Sequence, residues 1–316
     1  MQIAPVLLSV YNRPKHFRNC VESLKENELA SQTHLFVAID APYRPEDELP
    51  NSEVIEYAKQ ISGFKEVTLF IRCVNLGSKN NAILAYEEVF KKYDRVIRSE
   101  DDNVFSRDFL YFMNQALTLY EERDDINFIC GYNTPLQNPE KYTEQFYKSV
   151  YFRAWGTGVW RDKREMLILR NRTRALGEIR SFLKNYKEVF RYHKVSNNLI
   201  LNLIYMLKKN HLDTDGYISL FQFLNKTYSV FPIISRTKNM GHDGSGINCR
   251  KKQKNKNYEE QKIYSGDINY ELPAEIKENP ERDEEVALFL KRGIIKNVYT
   301  FVLLVLVNWG LLYRKK

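Results

Sequence analysis

The sequence predicts an α/β fold, a mostly parallel twisted sheet flanked by helices, on three observations. Short apolar runs rich in β-branched residues recur through the first 135 residues, at 3–10, 35–39, 67–71, 95–97 and 126–129. Between them lie stretches of helical period, at 15–27, 54–61, 80–92 and 109–121. The chain has 316 residues, 43% of them hydrophobic and 13% aromatic, enough to bury a sheet on both faces. Strand–helix alternation at this pitch builds βαβ units, whose parallel strands read as continuous apolar runs.

Each element has its own signature. The first run, "IAPVLLSV", has no basic, apolar leader before it, so no signal peptide is expected. The third helical stretch sets Ile83, Leu84, Val89 and Phe90 on one side with Lys and Glu opposite, which predicts that these four meet the sheet. Cys20, Cys73, Cys130 and Cys249 lie far apart with no zinc spacing. Three of them fall in apolar runs and are expected as reduced core thiols of a cytoplasmic protein.

After Asn133 the alternation stops. The stretch "SVYFRAWGTGVW" reads as a strand with a glycine turn. A basic helical region follows, with eleven Lys and Arg against four acids from Arg161 to Lys194. Then come an apolar helix near 198–207 and a segment over 213–232. Residues 250–290 open with "RKKQKNKN" and are polar and charged, as in a linker or arm. The expected organisation is therefore two halves of one domain, 1–135 and 136–249, then a linker over 250–290 and a tail over 291–316.

That tail has no charge from Asn297 to Tyr313, and Lys291, Arg292, Lys296, Arg314, Lys315 and Lys316 flank it. A spanning helix needs roughly 20 apolar residues. Trp309 and the flanking cations suit the surface of an anionic membrane. Attachment to a membrane through this tail is expected; the alternative is a helix packed on the body of the protein. The net charge of +8 is modest, and only weak non-specific contact with nucleic acid is expected.

In a sheet of this type, ligands bind beyond the carboxyl ends of the strands. That rule places four motifs on one rim: "YNRP" (11–14), Asp40, "NLG" (75–77) and "EDD" (100–102). No GxGxxG and no GxxxxGK[ST] occurs, which argues against a dinucleotide dehydrogenase or a P-loop NTPase. Glu100, Asp101 and Asp102 repel one another, so they form a solvated loop or hold something positive. Mg²⁺ or Mn²⁺ takes one or two protein oxygens and completes its shell from phosphate and water. A metal held here suits transfer from a nucleotide-activated substrate.

The motifs "LLSVYNRP", "NLGSKNNAI", "RSEDDNVFSRDFLYFMNQAL", "ICGYNTP", "RAWGTGVW" and "VFPIISRTKNMGHDGSG" occur in this order from Pro5 to about Cys249. In these the chain resembles the inverting glycosyltransferases of the nucleotide-diphospho-sugar transferase (GT-A) fold. It is similar to bacterial sugar transferases related to the Golgi N-acetylglucosaminyltransferase that initiates complex N-glycans. The resemblance implies that Arg13 and Asp40 hold the nucleotide of a UDP-sugar, with Asp40 facing the uracil. It implies that Asn75 and Gly77 line the phosphate and ribose side. Glu100, Asp101 and Asp102 match the family's metal and donor motif, with Asp102 the direct ligand of Mn²⁺ or Mg²⁺. Trp155 falls in the segment beneath the donor sugar, and Gly244 and Ser245 in a loop that closes over the diphosphate.

The family's base, an Asp after a Trp, falls at Asp215; Thr214 replaces the Trp, and Asp213 is an alternative. Asn248 stands where some relatives carry a His, and His242 is a substitute. The implied activity is inverting transfer of one sugar to a glycan or lipid-linked acceptor in surface polysaccharide or lipopolysaccharide synthesis. The alternative is a catalytically degenerate member that binds glycans or partner proteins. A nucleotidyltransferase would want a glycine-rich loop after the first strand, and "VYNRPKHF" has none.

Overall fold

A computed structural model describes residues 2–135, 141–168, 172–195, 197–245, 258, 260–290 and 293–309. They form two compact units. Unit 1 comprises Met1–Tyr147, Arg153–Asp162 and Val230–Ile276; unit 2 comprises Lys148–Phe152, Lys163–Ser229 and Lys277–Lys316. The division differs from the expected halves. The chain leaves the sheet unit for the helices of 163–229 and returns with the strand residues from Val230 onward.

Unit 1 begins with β1 (Val6–Val10), α1 (Pro14–Lys25), β2 (His34–Ile39), α2 (Pro45–Lys59), β3 (Glu66–Ile71), α3 (Gly77–Phe90) and β4 (Arg95–Glu100). Then come β5 (Asn103–Phe105), α4 (Phe109–Leu119) and β6 (Ile126–Cys130). Later strands are β7 (Phe146–Ser149), β8 (Thr157–Trp160), β9 (Tyr228–Pro232) and β10 (Thr237–Asn239). Eight of them form one sheet in the order β3-β2-β1-β4-β8-β6-β9-β7, while β5 and β10 pair separately. β1 pairs in parallel with both β2 and β4, and β2 with β3; β8 runs antiparallel to β4 and β6. The expected α/β class with a mostly parallel sheet is what forms.

Local chemistry explains the elements. β1 and β2 are apolar on both faces and nearly wholly buried, as central parallel strands must be. α1 begins with Pro14 at its first position and buries Phe17, Cys20, Val21 and Leu24, a single helical stripe. α2 starts at Pro45, well before the expected residue 54. Pro45 and Pro50 both read as breakers, yet Pro45 sits where the missing N–H was unpaired anyway. The Asp47 carboxylate accepts the Arg44 N–H at 3.2 Å and helps to close that end.

Three expectations are corrected. α3 buries Asn81, Ala85, Val89 and Phe90, while Leu84 is exposed. The helix thus turns a narrow i, i+4, i+8 stripe to the sheet, and small Ala85 allows close approach. Cys20 and Cys130 are buried free thiols, but Cys73 lies exposed just beyond β3; Cys249 is outside the described residues. The stretch read as a linker contains buried Gln261, Leu272 and Ile276 in unit 1 and a helix in unit 2. Its basic start, 250–257, is outside the described residues.

The segment around Tyr264 and Tyr270 is fastened to unit 1 by a buried ion pair. Arg236 donates from Nε to Asp108 Oδ2 at 2.9 Å, and both side chains are 1% exposed. Tyr270 donates to the same oxygen at 2.7 Å, and Ser106 to Oδ1 at 2.5 Å. The guanidinium carbon lies 3.7 Å from the ring centre of Tyr264 and 5.4 Å from that of Phe146. A cation in a dry site gains from both the carboxylate and the ring faces.

Unit 2 is helical: α5 (Arg161–Ile168) enters it, followed by α6 (Arg172–Lys184), α7 (Tyr186–Val195), α8 (Asn197–Lys209) and α9 (Thr214–Asn225). It closes with α10 (Pro280–Phe289) and α11 (Ile294–Asn308). Leu203 and Ile204 of α8 are fully buried, as the apolar period there predicts. α11 packs against α8 and α6. No helix of the described residues is long and apolar enough to cross a membrane.

Asp283, in the first turn of α10, is a buried carboxyl whose Oδ1 has no partner among the described residues. Burial pushes it up to about 7, against a hydrogen bond from Ser149 that pulls it down. The folded state therefore holds this proton more tightly than the unfolded chain. Stability is unaffected below the unfolded pKa of about 4 and is lost as the pH rises toward 7. Asp283→Asn is expected to raise unfolding stability by about 2–4 kcal/mol near pH 8 and to change nothing near pH 4. Urea titrations at the two pH values measure it.

Candidate functional site

The rim of unit 1 is built by β1 and β4, which lie side by side with Ser9 opposite Glu100. Beyond β1 the chain turns through Arg13 into α1, and beyond β4 it turns through Asp101 and Asp102. Parallel neighbours end at the same edge, so these residues meet although 88 positions separate Arg13 from Asp101. Arg13 donates from Nη1 to Asp102 Oδ2 at 2.9 Å, from Nε to Asp101 Oδ2 at 3.3 Å and from Nη2 to Asp101 Oδ1. The planar fork of guanidinium suits such a bidentate grip. Asp101 is 2% and Asp102 8% exposed.

Burial pushes the Asp101 carboxyl up to about 6, although the Arg13 charge opposes the rise. Arg13 itself is held firmly protonated: the charges of Asp101 and Asp102 outweigh its desolvation. Glu100 does not join this group. Its carboxylate accepts from Arg98 Nη2 at 2.9 Å, two residues back on the same face of β4. The run of three carboxylates is thus divided between two arginines.

A second wall comes from β10, whose Asn239 pairs with Asn103 of β5. The Asn239 amide donates to Asp102 Oδ1 at 2.8 Å, and the Met240 N–H donates to the Asp102 carbonyl at 2.7 Å. At Gly241 a Cβ atom would stand 2.3 Å from Asp102 Oδ2, so the loop approaches this closely only because the residue is glycine. His242 follows, stacked on Tyr258 with ring centres 4.2 Å apart and set edge-on to Trp155 at 5.9 Å. Neither of its ring nitrogens has a partner among the described residues. Burial lowers its pKa, which keeps the imidazole neutral, while the Asp102 charge acts the other way.

The loop continues through Asp243, which His16 of α1 contacts at 2.9 Å. Burial alone would raise the Asp243 carboxyl, but the Ser245 hydroxyl and N–H and the His16 contact bring it down to about 2. Gly244 has φ +97°, a left-handed turn that places the Ser245 N–H and hydroxyl 2.9 and 2.6 Å from Asp243 Oδ1. Asn248 is outside the described residues.

Asp40, Asn75 and Gly77 gather at the ends of β2 and β3. Asp40 Oδ1 accepts the N–H groups of Ala41 and Leu76 at 3.1 and 2.9 Å, and so helps to fix the start of α3. The Asn75 amide donates to the Ala41 carbonyl at 2.6 Å. Trp155 sits edge-on to Tyr132 at 4.6 Å. Asp213 and Asp215 belong to unit 2. Asp213 precedes α9 and accepts from the Asn202 amide at 2.9 Å, and Asp215 lies in the first turn of α9.

Sequence reasoning missed Asn239, which orients Asp102, and the His16–Asp243 tether. The only signal for either was position within a quoted motif.

A divalent cation fits this donor set in kind. Two buried carboxylates converge on one positive group, and a neutral imidazole with unpartnered nitrogens lies on the adjoining loop. Among the described residues no cluster of three or more His, Cys, Asp or Glu side chains is assembled around one point. Two open hollows lie elsewhere. One of about 570 Å³ in unit 2 is lined by Arg174, Glu178, Phe182 and Leu224. The other, of about 540 Å³, lies by His34, Lys65 and Tyr93, at the amino ends of the strands, the wrong edge for ligand chemistry in such a sheet.

No family model matches the chain, and no curated protein matches it in sequence. Among solved structures it is similar to TarS from S. aureus. One crystal structure of TarS matches at 12% identity and TM-score 0.31, over 41% of this chain and 21% of that one. A structure of TarS residues 1–349 matches at 11% identity and TM-score 0.33, over 49% of this chain and 47% of that one. The chain thus spans about a fifth and about half of the lengths it matches. At this level of similarity neither reaction nor substrate carries over from TarS to this chain.

Proposed function

We propose that the protein is a metal-dependent inverting glycosyltransferase. It moves one sugar from a UDP-sugar to a glycan or lipid-linked acceptor of a surface polysaccharide or lipopolysaccharide, at the cytoplasmic face of a membrane met through the C-terminal tail. The observation that carries the reading is the convergence of Asp101 and Asp102 on one cationic group at the carboxyl edge of a parallel sheet. A glycine loop is pressed against the second of these carboxylates. Such an edge is where a nucleotide-linked substrate binds in open α/β sheets.

Asp102, with Asp101 and His242, would hold Mn²⁺ or Mg²⁺, which when bound supplies positive charge to the departing nucleoside diphosphate. Arg13 lies next to that position and offers a fork to pyrophosphate oxygens. Asp40 and Asn75 bound the nucleoside side. The sequence resemblance alone assigns the base for the acceptor hydroxyl to Asp215, or to Asp213. No acid is needed for a leaving group that departs as a diphosphate.

The reading of a binder without turnover draws on Arg13, which already satisfies both carboxylates. Thermal unfolding with UDP-, GDP- and dTDP-sugars, each with and without Mn²⁺, tests the proposal. Ligand at about a hundredfold over Kd is expected to stabilise by about 2.7 kcal/mol, and only with UDP-sugars and Mn²⁺ together. UDP release over the following hours identifies an enzyme. A shift without release points to the binder, and no shift with any nucleotide sugar ends the proposal.

A further inference from the structure

α11 is fifteen residues long, and Lys296 is its one charged residue. Leu303, Leu304 and Val307 are buried on the side that meets α6 and α8, where the Asn308 amide donates to the Leu183 carbonyl at 3.0 Å. The other side is just as apolar but open. Ile295 is 86%, Phe301 64% and Trp309 72% exposed, and Val298, Tyr299 and Val302 are exposed with them. At 3.6 residues per turn, these six positions fall on one continuous arc of about 160°. A helix apolar all round is normally surrounded, and an uncovered apolar patch of this kind is a contact surface.

Charge indicates what covers it. The segments of unit 2 contain 22 Lys and Arg against 10 Asp and Glu, net +12, whereas those of unit 1 contain 26 against 30, net −4. α7, which packs on the same two helices as α11, exposes Tyr186 and Phe190 among Lys187, Arg191 and Lys194. We propose that the open face of α11 lies in the headgroup layer of an anionic membrane, with the helix parallel to the surface, and that unit 2 is the lipid-facing unit.

A fifteen-residue helix reaches about 22 Å, short of the roughly 30 Å hydrocarbon layer, so it lies on the membrane rather than across it. A second copy of the chain would bring together two units of the same strong charge, which repel. Anionic lipid reverses that sign, and the aromatic rings of Tyr299 and Trp309 favour the interfacial layer. The inference rests on the membrane part of the proposed function and on none of its chemistry.

The test sediments the full chain with vesicles of phosphatidylcholine alone and of phosphatidylcholine mixed with phosphatidylglycerol. Pelleting is expected with the anionic vesicles only, weakened by high salt. A blue shift in tryptophan emission accompanies it and is missing in Trp309→Phe. The double variant Val298→Glu/Phe301→Glu changes two open positions and keeps the far-UV spectrum and melting point. It lowers partition by about tenfold or more. Failure of the unaltered protein to pellet, unchanged partition of the double variant, or a dimer in ultracentrifugation that the double variant abolishes each overturns the proposal. Donor turnover is assayed separately without lipid, so loss of the transferase reading does not alter these outcomes.

Discussion

Asp102→Asn is expected to lower kcat/KM for UDP-sugar turnover by about a thousandfold, a loss of about 4 kcal/mol of transition-state stabilisation. The substitution keeps the shape of the side chain and leaves an oxygen for the Asn239 amide, which now approaches Asp102 Oδ1 at 2.8 Å. It removes the charge that a cation needs. Arg13 stays paired with Asp101 through two donors, so the fold should lose only about 1 kcal/mol, or about 2 °C in melting temperature. Steady-state kinetics with added Mn²⁺ and a thermal melt on one preparation give both quantities. Activity within tenfold of the unaltered protein would remove Asp102 from the chemistry.

Asp108→Ala should have the largest effect on stability, about 3–5 kcal/mol. Arg236 would be left 1% exposed with its charge unopposed. Among the described residues, the Ile234 carbonyl at 2.7 Å, the Tyr270 hydroxyl and the aromatic rings would remain around it, none of them a negative charge. The Tyr270 hydroxyl would lose this acceptor as well, and the Ser106 hydroxyl would keep only its longer bond to the Arg236 carbonyl at 3.3 Å. The diagnostic comparison is the double variant Asp108→Leu/Arg236→Met, which deletes both charges and fills the space with apolar atoms. It should be more stable than Asp108→Ala alone, because an uncompensated buried charge is worse than none. Denaturant midpoints rank the two proteins, and the opposite order would mean that the pair is not what fastens the 264–270 segment.

The parts of this fold legible in the sequence are those decided by local pattern. β1 and β2 are short, nearly continuous apolar runs rich in β-branched residues and leucine, as strands buried on both faces are. In α3 the expected Val89 and Phe90 are buried, but spacing rather than size decides the rest of the face. Leu84 is large but points outward, and Ala85 is small and points inward. The packed part of 260–290 was hidden by its charge, since Leu272, Ile276 and Val286 are spaced too widely to make a periodic signal.

In the candidate site, Asp101 and Asp102 were legible because they end a strand. The positive group among them was not, because Arg13 arrives there through the pairing of β1 with β4. Asn239 reaches Asp102 across 137 positions through the pairing of β10 with β5, which local sequence does not encode.

Arg13 also bears on how the protein is made. Many small metal-binding domains stay unfolded until their ion arrives. Here the counter-ion for Asp101 and Asp102 is Arg13 of the same polypeptide. The nascent chain can therefore finish its acidic edge with its own atoms, whatever the supply of ions in the surroundings.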